Sequence, residues 1–313
     1  MIDLSNTTRP ARAKIVLAFG IIYIVWGSTY LAIRFAVQTI PPFWMAGVRF
    51  VIAGSLMYAM IRLRGTPPPL RKHWLGAASV GALLLVGGNG SLVWSEQRVP
   101  SGLAAIILAT ISLWLVLLDC LRKHGPKLTG RVAWGLVIGL AGIAILVGPA
   151  KLWGSSRLDT LGAAVLMFSA FCWAAGSLYS RGAALPPSPF LAAAMEMMAG
   201  GAMLIVLGLL FEVGRLHWGT ITFRSASGLF YLIAAGSWLG FTAYIWLLGV
   251  VSTSRVATYA YVNPVVAVFL GWLFGREAIS ARELLATGII VGAVALILRD
   301  TKYGIREKEY GIR

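Results

Sequence analysis

The feature that most limits what this chain can fold into is the length of its apolar runs. They are about 18–22 residues long, enough for a helix to cross about 30 Å of hydrocarbon at 1.5 Å per residue. Few charged residues lie within the runs. A soluble domain carries about 25% charged residues. Here 58% of the 313 residues are hydrophobic and only 12% are charged. Hydrocarbon offers no water to an unpaired peptide group, so runs of this length must be helices that satisfy their own backbone.

The runs predict ten spans, at roughly 15–37, 43–61, 74–94, 101–118, 132–149, 159–180, 190–211, 226–249, 256–274 and 281–298. Proline marks the breaks at Pro41-Pro42, Pro67-Pro68-Pro69, Gly125-Pro126, Pro149 and Pro186-Pro187. Ser95 to Pro100 forms a short polar turn between the third and fourth spans.

The spans are arranged as a repeat. Trp26-Gly27-Ser28-Thr29-Tyr30-Leu31-Ala32-Ile33-Arg34 returns 147 residues later as Trp173-Ala174-Ala175-Gly176-Ser177-Leu178-Tyr179-Ser180-Arg181. The same offset aligns Pro42 with Pro189, Phe43 with Phe190 and Gly54 with Gly201. Further on the offset is 153, aligning Gly87 with Gly240, Ala104 with Ala257, Gly135 with Gly288 and Gly139 with Gly292. One six-residue gap after residue 211 reconciles the two offsets. Five spans per copy is an odd number, so the second copy enters the membrane from the opposite side. The expected fold is an all-α polytopic membrane protein of two inverted five-helix repeats around a central cavity. Its segments are 1–150, 151–300 and a tail, 301–313. Secondary transporters recur on this plan, with the solute site near the midplane between repeats.

The formal net charge of +16 does not point to nucleic acid. With the N-terminus in the cytoplasm, eighteen Lys and Arg residues fall on the inner side and seven on the outer. This asymmetry is the positive-inside pattern, and it places both termini in the cytoplasm. The expected partners are the lipid bilayer and a small-molecule substrate, with the chain a monomer or a homodimer. Catalysis, a cofactor and a metal are not expected. His73, His124 and His217 are scattered near span ends, and no metal-ligand spacing or phosphate-binding loop occurs.

Trp26-Gly27-Ser28, Arg49, Asn263-Pro264 and Gly275-Arg276-Glu277, on ten spans, resemble the drug/metabolite transporter superfamily, most closely its EamA-type exporters. The chain is also similar to the aromatic amino acid exporters of that superfamily. The resemblance implies a helical basket in a bacterial inner membrane that exports amino acids or related metabolites. It implies that spans 3, 4, 8 and 9, with 1 and 6 beside them, surround the cavity. Spans 2 and 7 would tilt, and spans 5 and 10 would serve as supports or as a dimer face. A passive facilitator or channel, or a multidrug-type exporter, would use the same basket. One departure is Thr110-Ile111, which stands where the second copy has Asn263-Pro264. A proline-linked irregularity is therefore expected in the second repeat alone.

The candidate substrate-binding residues are Trp26, Asn89, Trp94, Trp173, Tyr244, Tyr261 and Asn263. Trp26 and Trp173 are repeat equivalents deep in their spans. Asn89 and Tyr244 lie in polar or glycine-rich stretches of the third and eighth spans, and Trp94 lies in the third. Tyr261 and Asn263 flank the proline of the ninth, with Tyr259 turned to a neighbour. Walls of this kind suit neutral, zwitterionic or aromatic solutes. The charged candidates are Arg49, Glu196 and Arg181. Arg49 has two readings, a clamp on a substrate carboxylate and a structural cation. Its repeat equivalent Glu196 also has two, a structural pair with Arg181 and a site for a proton or a substrate ammonium. Arg34 is expected to reach back to the interface.

Overall fold

The computed structural model describes residues 12–99, 107–122, 127–147, 159–275 and 281–298. The side chain of Arg34, Arg276-Glu277 and the tail 301–313 lie outside the described residues. No strand occurs among the described residues.

Among the described residues, one main helix lies in each of the ten predicted spans. The first repeat contains α1 (Arg12–Ala36), α2 (Pro42–Leu63), α3 (Arg71–Ser95), α4 (Ile111–Leu121) and α5 (Gly130–Val147). The second contains α6 (Thr160–Ser180), α7 (Pro189–Phe211), α8 (Phe223–Val250), α9 (Tyr259–Gly275) and α10 (Ala281–Leu298). Local chemistry sets the ends. Pro42 and Pro189 open α2 and α7, where a missing N–H costs nothing. Asp159 caps α6 by accepting from the Gly162 N–H at 2.8 Å. The chain leaves α2 and α7 through Gly65 and Gly214, at φ of 85° and 79°, where a side chain is disfavoured.

α2 and α7 run antiparallel and pack along one seam. A Cβ on Gly54 would lie 2.7 Å from the Ala194 carbonyl oxygen and 2.8 Å from the Met198 nitrogen. A Cβ on Gly201 would lie 3.0 Å from the Gly47 carbonyl oxygen and 2.8 Å from the Val51 nitrogen. Gly54 and Gly201 are repeat equivalents, as are Gly47 and Ala194, and Val51 and Met198. Exchanging the repeats therefore maps the seam onto itself. A two-fold axis passes between α2 and α7, and because these helices are antiparallel the repeats it relates are inverted.

α3 and α8 share a second device. Each widens into a π-helical stretch, Ala82–Gly90 in α3 and Leu232–Phe241 in α8. Such wide turns often mark functional positions. Glycine lets neighbours close on them. Gly87 and Gly88 meet Cys172 and Trp173 of α6, and Gly240 meets Trp26 of α1.

α5 and α10 pack together away from this centre, Gly135 against Ile297 and Gly142 against Ile290. The fourth span departs from expectation. Its helix is interrupted at Thr110, the repeat equivalent of Asn263. The Thr110 N–H bonds three residues back to the Ile107 carbonyl at 3.1 Å, and its hydroxyl takes the same acceptor. A threonine that satisfies backbone from its own side chain breaks a helix without proline. The two repeats differ here: the first is interrupted at Thr110, whereas in the second α9 runs on through Pro264.

Candidate functional site

A cavity lies among α1, α2, α3, α4, α6, α8 and α9, with an empty volume of about 770 Å³ including its mouth. One wall is aromatic and is built around Trp26. Its ring centroid lies 5.6 Å from that of Trp173, edge-on, and 5.0 Å from those of Tyr244 and Tyr259. The Trp26 indole N–H donates to the Gly236 carbonyl at 3.1 Å, fixing α1 against the π stretch of α8. Trp173 donates to the Tyr244 hydroxyl at 2.9 Å. The Ser177 hydroxyl donates to the Trp173 carbonyl at 2.6 Å, so the Tyr244 hydroxyl donates to Ser177 across 2.5 Å. Every polar atom of this small network has a partner. The aromatic faces are left to the cavity.

The other wall carries a cation. Arg49 is 4% exposed. Its Nε donates to Ser237 Oγ at 2.8 Å, and its guanidinium sits 4.7 Å from the centre of the Phe50 ring. No carboxylate among the described residues pairs with it; the ion pairs found there join Arg98 to Asp159 and Arg122 to Asp119. Among the described residues no Asp or Glu lines the cavity. A buried guanidinium without a counter-ion is costly, and a forked donor set of this kind matches a carboxylate.

Two amides complete the lining. With its amide assigned so that the nitrogen faces them, Asn263 donates to the carbonyls of Tyr23 at 3.2 Å and Tyr259 at 3.1 Å, tying α9 to α1. Pro264 lacks the N–H that the Ala260 carbonyl would otherwise receive, and Ala260 lines the cavity. Asn89 is 9% exposed, and no donor reaches its Oδ1. Ser169 and Thr29 also line the cavity, but their hydroxyls are committed, to the Gly88 and Trp26 carbonyls, each at 2.7 Å.

Acidic groups occur at helix ends. Glu212, at the end of α7, accepts from the Phe43 and Trp44 N–H groups at 3.1 Å and so caps α2. Burial pushes its carboxyl up, and those two N–H groups oppose the shift. The Gly162 N–H, first among several contacts, holds Asp159 below the usual carboxylate range. Glu96 follows α3, and burial pushes its carboxyl up to about 7.

The comparisons with known proteins match this architecture. The EamA-like transporter family matches residues 13–148 and again residues 160–299, one match in each repeat. The chain belongs to the EamA-like transporter family. It is 41% identical over 278 residues to the inner membrane transporter YedA of Escherichia coli strain K12, covering 88% of each chain. It is 23% identical to the transporter YoaV of Bacillus subtilis, over 90% of this chain and 94% of that one. Protein PecM of Dickeya dadantii is 23% identical over 91% and 92% of the two chains. A solved crystal structure superposes with a TM-score of 0.75 at 22% identity, over 91% of this chain and 96% of the other. That likeness supports the fold.

In this EamA-like transporter the cavity gathers Trp26, Asn89, Trp173, Asn263 and Arg49 from the sequence-derived set. Tyr244 stands behind them, fully buried, as the anchor of Trp173. Tyr261 is placed differently from the expectation. Its ring lies against Gly139 of α5, and it is Tyr259 that reaches the cavity. Four residues separate Tyr259 from Asn263, which puts them on one helix face, whereas Tyr261 points to nearly the opposite side. Trp94 also stays outside the cavity, under the Arg98 guanidinium at 4.5 Å. Arg181 is exposed and Glu196 is fully buried with neither oxygen hydrogen-bonded, so the expected Arg181–Glu196 pair does not form. Sequence reasoning missed Thr29, Ile33, Leu92, Ser169 and Tyr259 as lining residues. Each lies three, four or seven positions from a residue it chose, and that helical spacing would have found them.

Proposed function

We propose that this protein is an inner-membrane secondary transporter that exports amino acids, aromatic or other neutral ones in preference, or closely related small metabolites, by alternating access. The observation that carries the reading is Arg49. It is a buried cation in the wall of an aromatic cavity, and among the described residues it has no carboxylate partner and the cavity wall holds no acid. A solute carboxylate would supply the missing counter-charge. The faces of Trp26, Trp173, Tyr259 and Phe50 would take an apolar or aromatic side chain, and the Asn89 amide would meet its polar groups. The Lys and Arg asymmetry supports cytoplasmic termini. The reading assigns no catalysis and no cofactor.

The test is counterflow in proteoliposomes preloaded with labelled Trp, Phe, Met, Thr, Lys or Glu. Saturable counterflow of the neutral and aromatic members is expected. Arg49→Ala should weaken it about tenfold or more, the scale of losing hydrogen bonds to a charged group. Absence of counterflow for every amino acid, with folded and inserted protein, would overturn the reading.

A further inference from the structure

Glu196 is the repeat equivalent of Arg49, yet the two occupy opposite environments. Arg49 lies beside the π stretch of α8 and lines the cavity. Glu196 lies on the face of α7 that meets α3, where a Cβ on Gly81 would come within 2.7 Å of its carbonyl oxygen. Next along that face, Gly200 meets the Gly81 carbonyl oxygen and Leu85. Glu196 is 0% exposed, neither carboxyl oxygen has a hydrogen-bond partner, and it does not line the cavity.

Among the described residues, no neighbouring element brings a counter-charge to it. The packed elements are α2, α3 and α8. The titratable and charged groups of α2 are Arg49, Tyr58 and Arg62. Arg49 is turned to Ser237, Tyr58 stacks with Trp74, and Arg62 bonds the Thr66 carbonyl. α3 carries Arg71, Lys72 and His73 in its first turn, and its π stretch carries none. α8 brings Arg224 and the tyrosines Tyr231 and Tyr244. Arg224 lies over the Phe35 ring, Tyr231 bonds Ser28, and Tyr244 is engaged by Trp173 and Ser177. An ionised carboxylate enclosed in this way without a partner is strongly disfavoured, and the neutral acid is the form that such a site holds.

The symmetry of the α2–α7 seam shows where such a group can go. If each repeat can adopt the conformation its partner holds here, the exchanged state faces the opposite side of the membrane. In that state Glu196 takes the place Arg49 has now, on the cavity wall, and meets water. We propose that Glu196 is a proton-binding site, closed in its acid form in this state and opened to the cavity when the two repeats exchange conformations. The step is simple. The carboxylate takes a proton from a hydronium ion in cavity water, one O–H bond breaking as the new one forms and a water molecule being left behind, and only then do α3 and α7 close over it. The site therefore biases the equilibrium between the two states according to pH on the side to which the cavity opens in the exchanged state. Because it opens to one side only, it sets conformation and does not carry protons across the membrane. The proposal rests on the alternating-access part of the proposed function and not on the identity of the solute.

Two measurements on the purified full chain test it without any solute. A membrane-soluble carbodiimide, which attacks protonated carboxyls, should modify Glu196 at pH 6 and at least fivefold less at pH 9, as read by mass spectrometry. In a background of Cys120→Ser and Cys172→Ser, Glu196→Cys should react with a water-soluble maleimide slowly but to completion. No adduct at any pH, an adduct that does not depend on pH, or a folded Glu196→Cys protein that never reacts would each overturn the proposal. Should Glu196→Cys fail to fold, the carbodiimide measurement on the wild-type chain decides. A protein that transports no amino acid yet passes these tests loses the solute assignment and keeps this one.

Discussion

Gly54 and Gly201, equivalent residues of the two repeats, each press into the other's helix at matching atoms. Gly54 meets the Ala194 carbonyl and the Met198 nitrogen, and Gly201 meets the Gly47 carbonyl and the Val51 nitrogen. The nearest atom at each of the two glycines is backbone, which cannot swing aside as the end of a flexible side chain can. Gly54→Ala and Gly201→Ala are each expected to destabilise the protein by about 1–3 kcal/mol, the usual scale of overpacking. Gly20→Ala in α1 meets nothing within 4 Å and should leave stability unchanged or slightly raised. Thermal unfolding in detergent checks this, and equal midpoints for all three variants would contradict it.

Glu212 ties the end of α7 to the start of α2 through the Phe43 and Trp44 N–H groups. Glu212→Ala removes a cap and leaves those donors unpaired. A loss of about 1–2 kcal/mol is expected, with Glu212→Gln losing less. Denaturation midpoints of the three proteins give the order.

Tyr244 holds Trp173 in the cavity wall through its hydroxyl. Tyr244→Phe keeps the ring but strands the Trp173 N–H. The expected cost is about 1–2 kcal/mol, together with weaker solute binding. Unchanged binding with reduced stability would show that the orientation of Trp173 is irrelevant to the site.

Glu96 carries a pH dependence of stated sign. Burial pushes its carboxyl up to about 7 from an ordinary value of 4.5. The folded chain therefore holds a proton in that window that the unfolded chain has released. The stability so gained is complete below about 4.5 and is lost as pH rises through about 7. The thermal midpoint of the wild-type protein should fall from pH 5 to pH 8 by more than that of Glu96→Gln. Parallel curves would contradict the assignment.

Much of the fold could be read from the chain because lipid allows so few solutions. The length of the runs set the ten helices, and the register of Trp26 with Trp173 and of Gly54 with Gly201 set the repeat. The site was read less well for two reasons. The choice between Tyr259 and Tyr261 turns on which face of α9 meets the cavity, and an apolar helix buried on several sides does not show that in its pattern. The pairing of Arg181 with Glu196 was inferred from charge and depth alone. Opposite signs at similar depth do not bring side chains together when one is exposed and the other sealed against α3. The break at Thr110 escaped because proline was the only breaker considered, although a threonine hydroxyl that takes a backbone carbonyl does the same work.

The account stands on Arg49 as the receptor for a solute carboxylate. The most direct measurement compares binding of phenylalanine with binding of phenylalaninamide, which keeps the ring and the ammonium but lacks the carboxylate. The wild-type protein should prefer the acid by about tenfold or more, and Arg49→Ala should lose that preference. If Arg49→Ala keeps the preference while folding normally, Arg49 is not the carboxylate receptor and the central claim is wrong.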